Sequence, residues 1–301
     1  MARKNLVMVL ITQVCDIDTL TEAMSCGIRK VLTSDMEENE ISDSIIAEIK
    51  KSRNRGNDSK QKQHDSKILS IFGTKGGAGK TTVAVNLAVA LQKKGKKVLL
   101  FDLDLQFGDV GVFMVAPSID TISDLVSEGE FDLSTIESYL FTHSCGVQLL
   151  LAPQSPEFAE LVKPEHINKI VDEVKGSFDY IIFDLGPTLD ECVLQALEVC
   201  NTIYFIVTPE ISTLKNTKTC MNVLSTLELA QKVKFVLNKD GDSYVKKKDM
   251  EAALDDEIVL VIPSEPKNTI ASINRGVPIV IANPRTKASK EIIRYVNSDS
   301  I

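Results

Sequence analysis

The chain has 301 residues, 44% of them hydrophobic and 25% charged, enough for one large domain with a substantial core plus a small appendage, and without an apolar run approaching the roughly 18 residues of a membrane span. A formal net charge of −8 repels nucleic acid at long range unless basic residues collect on one surface, so no direct nucleic-acid binding is expected. Six cysteines without a CxxC pair, and three histidines without metal-ligand spacing, point to a reduced, cytoplasmic protein.

Taken in chain order, MARKNLVMVLITQ has too short an apolar stretch for a signal peptide, and LVMVLIT (6–12) reads as a buried strand. Residues 16–27 read as a helix capped by Asp16 or Asp18 and ended by Gly27; 28–34 is a second strand and 38–51 a second amphipathic helix. About fifty residues are too few for an independent doubly wound sheet, so residues 1–50 dock on the main domain, pair with another chain, or form a cut-down module. Residues 51–67, KSRNRGNDSKQKQHDSK, carry six Lys or Arg and no large apolar side chain, the composition of a solvated linker.

From Lys67 onward strands and helices alternate, with strands expected at 68–73, 98–103, 147–152, 179–184, 203–208, 233–238 and 258–262 and a helix at 80–93. The alternation predicts an α/β fold over 68–301, a mostly parallel, doubly wound sheet with helices on both faces. Within it ILSIFGTKGGAGKTTVAVNLAVAL is an apolar strand, a glycine-rich turn and a helix, the context a P-loop requires. Gly73, Gly76, Gly77 and Gly79 let backbone N–H groups approach phosphate oxygens, with Thr74, Ala78 and Thr82 completing the loop. Lys80 would hold the β- and γ-phosphates, and the Thr81 hydroxyl would take a Mg²⁺ position. Paired carboxylates, Asp102 and Asp104, end the next strand in FDLDLQFGDVG. DYIIFDLGPT runs four apolar residues into Asp184, an arrangement that holds Mg²⁺ through water.

Lys75 is not demanded by a generic P-loop. The string KGGAGKT (75–81) resembles the MinD/ParA group of deviant Walker A ATPases, and the resemblance covers roughly residues 67–296. It implies ATP and Mg²⁺ as ligands, slow hydrolysis, and an ATP-dependent homodimer in which Lys75 crosses to the partner's phosphates. It also implies that Asp104 positions the attacking water or senses the γ-phosphate, that Asp102 lies near the Mg²⁺ shell, and that Asn238, Lys239 and Pro263 flank adenine. ATP is favoured over GTP because Gly241 stands where guanine-specific relatives have the aspartate of NKxD. The DxPxG turn usual after Asp184 is altered here to Asp-Leu-Gly-Pro-Thr.

Two further resemblances concern use rather than chemistry. Residues 1–50 resemble the second half of a response-regulator receiver domain, with Thr12, Ala23 and Gly27 in place. Thr33-Ser34 replaces the expected Lys-Pro pair and no acceptor-aspartate strand precedes, which implies a truncated, degenerate interaction platform. DLDLQFGDVG together with that segment is similar to the CpaE/TadZ proteins of tight-adherence (Flp) pilus assembly. This implies pilus or secretion proteins as partners and recruitment to a cell pole or the inner membrane face; the alternatives are a ParA-like partition or MinD-like division-site role. The tail TKASKEIIRYVNSDSI has few large apolar residues, so no direct membrane insertion is expected. Lys246-Lys247-Lys248 reads as a solvated helix start.

Overall fold

The computed structural model describes residues 9–12, 30–34, 36, 41, 66–116, 120–298 and 301. The chain divides into two compact units, Met1–His64 and Asp65–Ile301. In the first, strands β1 (Val9–Thr12) and β2 (Lys30–Thr33) pair in parallel, Thr12 opposite Thr33. Both fall within the expected strands. The helices expected at 16–27 and 38–51, apart from helical Ile41, and the linker before Ser66 lie outside the described residues.

The second unit holds an eight-stranded sheet: β3 (Lys67–Phe72), β4 (Val98–Leu103), β5 (Phe141–Thr142), β6 (Gln148–Leu150), β7 (Tyr180–Leu185), β8 (Thr202–Val207), β9 (Val233–Asp240) and β10 (Ile258–Pro263). Their spatial order is β10-β9-β8-β3-β7-β4-β6-β5, parallel throughout except for the short edge pair β5–β6. All seven expected strands are present; the two-residue β5 is too short for a sequence period to announce.

The central strands are continuous apolar runs because both their faces are covered. In β3, Ile68 and Phe72 join one core cluster, while Leu69 and Ile71 join the other. Edge-on aromatic pairs Phe72–Phe205 (5.4 Å) and Phe101–Phe183 (5.6 Å) tie adjacent strands on the first face. On the second face lies α1 (Lys80–Lys93), Ala- and Val-rich and almost wholly buried, ending at Lys94 and the left-handed Gly95.

After β4 come the short helices α2 (Val110–Phe113), α3 (Ile122–Ser127) and α4 (Leu133–Ser138). Helices α5 (Pro164–Val174), α6 (Glu191–Val199), α7 (Ile211–Thr226) and α8 (Lys247–Leu254) cover the first face. Lys246 caps α8 and Lys247 pairs with Glu251 across one turn, so the lysine run is indeed a helix start. The chain continues through α9 (Pro266–Asn274) and α10 (Ile279–Ala282) to α11 (Lys287–Asn297). Helix α11 turns Ile292, Tyr295 and Val296 into the second core, where the hydroxyl of Tyr295 donates to that of Tyr204 at 3.1 Å. Among the described residues no helix is long and apolar enough to cross a membrane.

Strand β3 is where the order reverses: the chain leaves it for β4 on one side and later lays β8 on the other. In open α/β sheets the crevice beyond the carboxyl ends of strands at such a point is where ligands bind. The loop 73–79 starts from this crevice.

Candidate functional site

The glycines of the loop divide the work. Gly73 leaves β3 so close to β8 that a Cβ there would stand 2.7 Å from the Ile206 carbonyl oxygen. Gly77 (φ 72°) and Gly79 (φ 94°) are left-handed, a conformation that favours glycine, and Gly79 is also the cap of α1. The free N–H groups of the first turn of α1 and its positive end are thereby presented to the crevice, a ready anion site. Lys80, 8% exposed, is the first residue of that helix; its ammonium acts on both Asp104 and Asp184.

The three carboxylates differ sharply. Asp184, at the end of β7, is fully buried, and neither oxygen has a hydrogen bond of ordinary geometry, although the Thr81 hydroxyl faces it. Burial lifts its carboxyl to about 7 against the pull of Thr81 and Lys80. Asp102 pairs with Asp184 across β4 and β7, and its carboxyl is pushed well up by burial and then by Asp184. Its oxygens accept from the amides of Asp104 (3.2 Å) and Val110 (3.0 Å), and Gly108 packs so tightly on it that a Cβ there would lie 2.5 Å from Oδ2. Asp102 thus holds the 103–110 loop in shape beside Asp184, and like Asp184 it stands behind the surface of the crevice.

Asp104 does line it, half-buried, with its carboxyl raised by burial and drawn back by Lys80. It faces the turn after β7, where a Cβ on Gly186 would lie 3.3 Å from its Oδ1.

A cavity of about 590 Å³ joins these parts, within the usual range for small-molecule sites. One end is walled by Gly76, Gly77, Gly79, Lys80, Thr81, Thr82 and Asp104. The other is walled by Asn238, Lys239 and Pro263, with Phe113, Ile262, Ile270, Ile279 and Ile292 as an apolar floor. A phosphate chain and a flat base suit these two ends. Of the expected site residues, Gly73, Thr74, Lys75, Ala78, Asp102 and Asp184 stand behind or beside this surface. The Thr74 hydroxyl is buried without a partner.

Lys75 reaches sideways to the turn after β8, where its ammonium pairs with the Glu210 carboxylate and lies 3.5 Å from the Ser212 hydroxyl. The Lys75 hydrogen bond holds the Glu210 carboxyl below its usual range. Sequence reasoning did not find Glu210. Its only signal is an acidic residue just past the carboxyl end of a central strand, beside the switch point. Nor could it find the apolar floor, whose members come from α2, β10, α9, α10 and α11 and share no sequence period.

The residues fit Mg²⁺ and a nucleotide. A buried carboxylate without partners, a facing hydroxyl, a buried lysine and a glycine-shaped helix start form one donor set for a cation and its polyphosphate.

Comparison with known proteins agrees. The family model described as an AAA domain matches residues 66–240. The septum site-determining protein MinD of Thermotoga maritima is 28% identical over 237 residues, covering 74% of this chain and 84% of that protein. Among solved structures, the septum site-determining protein MinD of Pyrococcus horikoshii, complexed with Mg-ADP, superposes with a TM-score of 0.70 at 26% identity, covering 78% of this chain and 96% of that one. A ParA family ATPase from Chlorobium tepidum shares the fold, with a TM-score of 0.73 at 22% identity over 77% of this chain and 99% of that one. The chain thus belongs to the AAA domain family, as a P-loop ATPase of the MinD/ParA type.

Proposed function

We propose that the protein is a slow ATPase whose ATP-bound form pairs face to face with a second copy and whose state places a partner assembly in the cell. The observation that carries the pairing is the position of Lys75. Its ammonium lies on the lip of the loop, held by an exposed Glu210, outside the surface that would cradle phosphates. An exposed ion pair of this kind contributes about 0–1 kcal/mol, little enough for an incoming triphosphate to displace.

Within the site, the amides at the start of α1 would bind the phosphates, Lys80 would neutralise the β- and γ-oxygens, and Asp104 would orient the attacking water. Thr81 directly, and Asp184 through water, would hold Mg²⁺, which when bound supplies charge stabilisation at the phosphoryl oxygens. Asn238, Lys239 and Pro263 flank the base end, with the isoleucine floor beneath. The apolar floor also keeps bulk water from the base end, which strengthens the polar contacts made beside it.

For the biological use we favour pilus assembly of the Flp/Tad type. That reading rests on the similarity of DLDLQFGDVG and residues 1–50 to CpaE/TadZ proteins. Pilus or secretion proteins would be the partners and a pole or the inner membrane face the address, with the molecule otherwise cytoplasmic. The similarity to septum site-determining proteins supports a division-site role as the second reading. Burial of the apolar side of α11 removes those residues as a membrane-binding face.

Sedimentation of wild type and Lys75→Ala with ATP and Mg²⁺ tests the pairing. The expected result is a dimer for wild type and a monomer for the variant; equal dimer fractions would remove the crossing role of Lys75. Imaging a fluorescent fusion tests the use: a polar focus lost on deleting residues 1–66 supports pilus placement, and an oscillating signal supports division-site selection.

A further inference from the structure

Two side chains at the end of β9 grip the phosphate loop. Asn238, 7% exposed, donates through Nδ2 to the Ala78 carbonyl at 2.8 Å, and Lys239 donates through Nζ to the Gly77 carbonyl at 2.6 Å. The fit around Asn238 admits no slack: a Cβ on Gly79 would lie 2.3 Å from its Nδ2. Lys239 adopts a left-handed backbone (φ 58°), uncommon for a residue with a long side chain. A glycine or asparagine would meet that conformation with less strain, but a glycine has no donor to offer and an asparagine a far shorter reach.

The effect on the loop follows from peptide geometry. A trans peptide points its N–H opposite to its C=O. With the Ala78 carbonyl turned toward Asn238, the Gly79 N–H is aimed away from Asn238. With the Gly77 carbonyl held by Lys239, the Ala78 N–H closes the turn on the Lys75 carbonyl at 3.3 Å. Both captured carbonyls would otherwise be free to swing toward the crevice, where a carbonyl oxygen repels phosphate.

We propose that Lys239, together with Asn238, is a positioning residue for the phosphate loop rather than only a wall of the base pocket. Its ammonium fixes the Gly77–Ala78 peptide that closes the turn, and Asn238 fixes the next peptide, whose Gly79 N–H is left for phosphate. This rests on the nucleotide-binding reading above. It also links the two ends of the cavity, because the same two residues border the base and set the phosphate loop.

The test measures binding of ATP and of inorganic tripolyphosphate by titration calorimetry, with wild type, Lys239→Met, Lys239→Arg and Lys239→Gly. Deuterium uptake of residues 73–82 is followed without ligand. Loss of a charge-assisted hydrogen bond of this kind is expected to weaken both ligands by the same factor, about five- to tenfold, in Lys239→Met. Uptake in the free loop should rise in parallel, and Lys239→Arg should restore both. Lys239→Gly should bind as poorly as Lys239→Met while melting no lower than wild type, since it relieves the backbone strain; this keeps the test informative if Lys239→Met folds badly.

Weakened ATP with unchanged tripolyphosphate would overturn the proposal in favour of a base contact. Weakened binding of both with unchanged loop uptake would overturn it in favour of a direct phosphate contact. A wild type that binds neither ligand would instead remove the nucleotide reading itself.

Discussion

Replacing Asp184 by asparagine is expected to make the free protein more stable while disabling it. In the folded chain burial lifts this carboxyl from 3.8 to about 7. Between those values the folded state keeps a proton that the unfolded state has released, so stability falls as pH rises through the window. The stabilisation is fully present below about pH 4 and gone above about pH 7. Roughly three units at 1.36 kcal/mol each give about 4 kcal/mol, and interaction with Asp102 makes about 2–4 kcal/mol the prudent range. Asparagine keeps the shape and removes the charge. Urea unfolding in a chelator-containing buffer at pH 5, 6, 7 and 8 is the assay. Wild type should lose stability across the series, whereas the variant should lose less and exceed wild type by about 2–4 kcal/mol at pH 8. Adding Mg²⁺ and ATP should stabilise wild type and not the variant. Equal stabilities at pH 8, or a variant weaker than wild type there, would refute the claim that Asp184 is a buried charge awaiting a cation.

Gly79→Ala places a methyl on the Asn238 amide and forces a left-handed alanine, so ATP affinity should collapse and stability should fall by about 1–3 kcal/mol, read by calorimetry and thermal melting. Gly108→Ala puts a Cβ 2.4 Å from that of Ala152 and 2.5 Å from Asp102 Oδ2. It should loosen the 103–110 loop and cost about 1–3 kcal/mol, whereas unchanged melting would show that the loop does not depend on this packing. Asp104→Ala should keep ATP binding within about threefold and lower hydrolysis by about 10²-fold, as expected for loss of a positioned acid–base group; lost affinity would make Asp104 a binding residue instead.

Much of the fold is legible in the sequence because parallel strands buried on both faces cannot hide. KILSIF, VLLFDL and YIIFDL are apolar runs between helical periods, and GTKGGAGKTT announces its loop by its glycines. Strand ends shift by a residue or two where pairing runs on past the last apolar position, as at Asp240 opposite Pro263. What escapes is whatever depends on distant elements meeting. Asp102 and Asp104 look equivalent in DLD, and strict alternation would put both on one face; but β4 ends at Leu103, so Asp102 stays buried among the strands while Asp104 turns with the following loop to the crevice. Glu210 and the cavity floor likewise exist only once β8, α9 and α11 have been brought to α1.

The strand order has a consequence for how the molecule comes into being. Strand β3 bonds to Tyr180–Asp184 on one side and Thr202–Phe205 on the other, partners on the order of a hundred residues downstream. During synthesis the segment that precedes the phosphate loop therefore emerges without either neighbour and waits, both edges unpaired, while the intervening chain is made. ATP cannot hasten that stage, since its binding surface is assembled only when the last partners arrive. The nascent chain is thus most exposed to mispairing and proteolysis at the strand that its activity most depends on, and release of chains stopped before residue 200 should yield protease-sensitive, nucleotide-blind products.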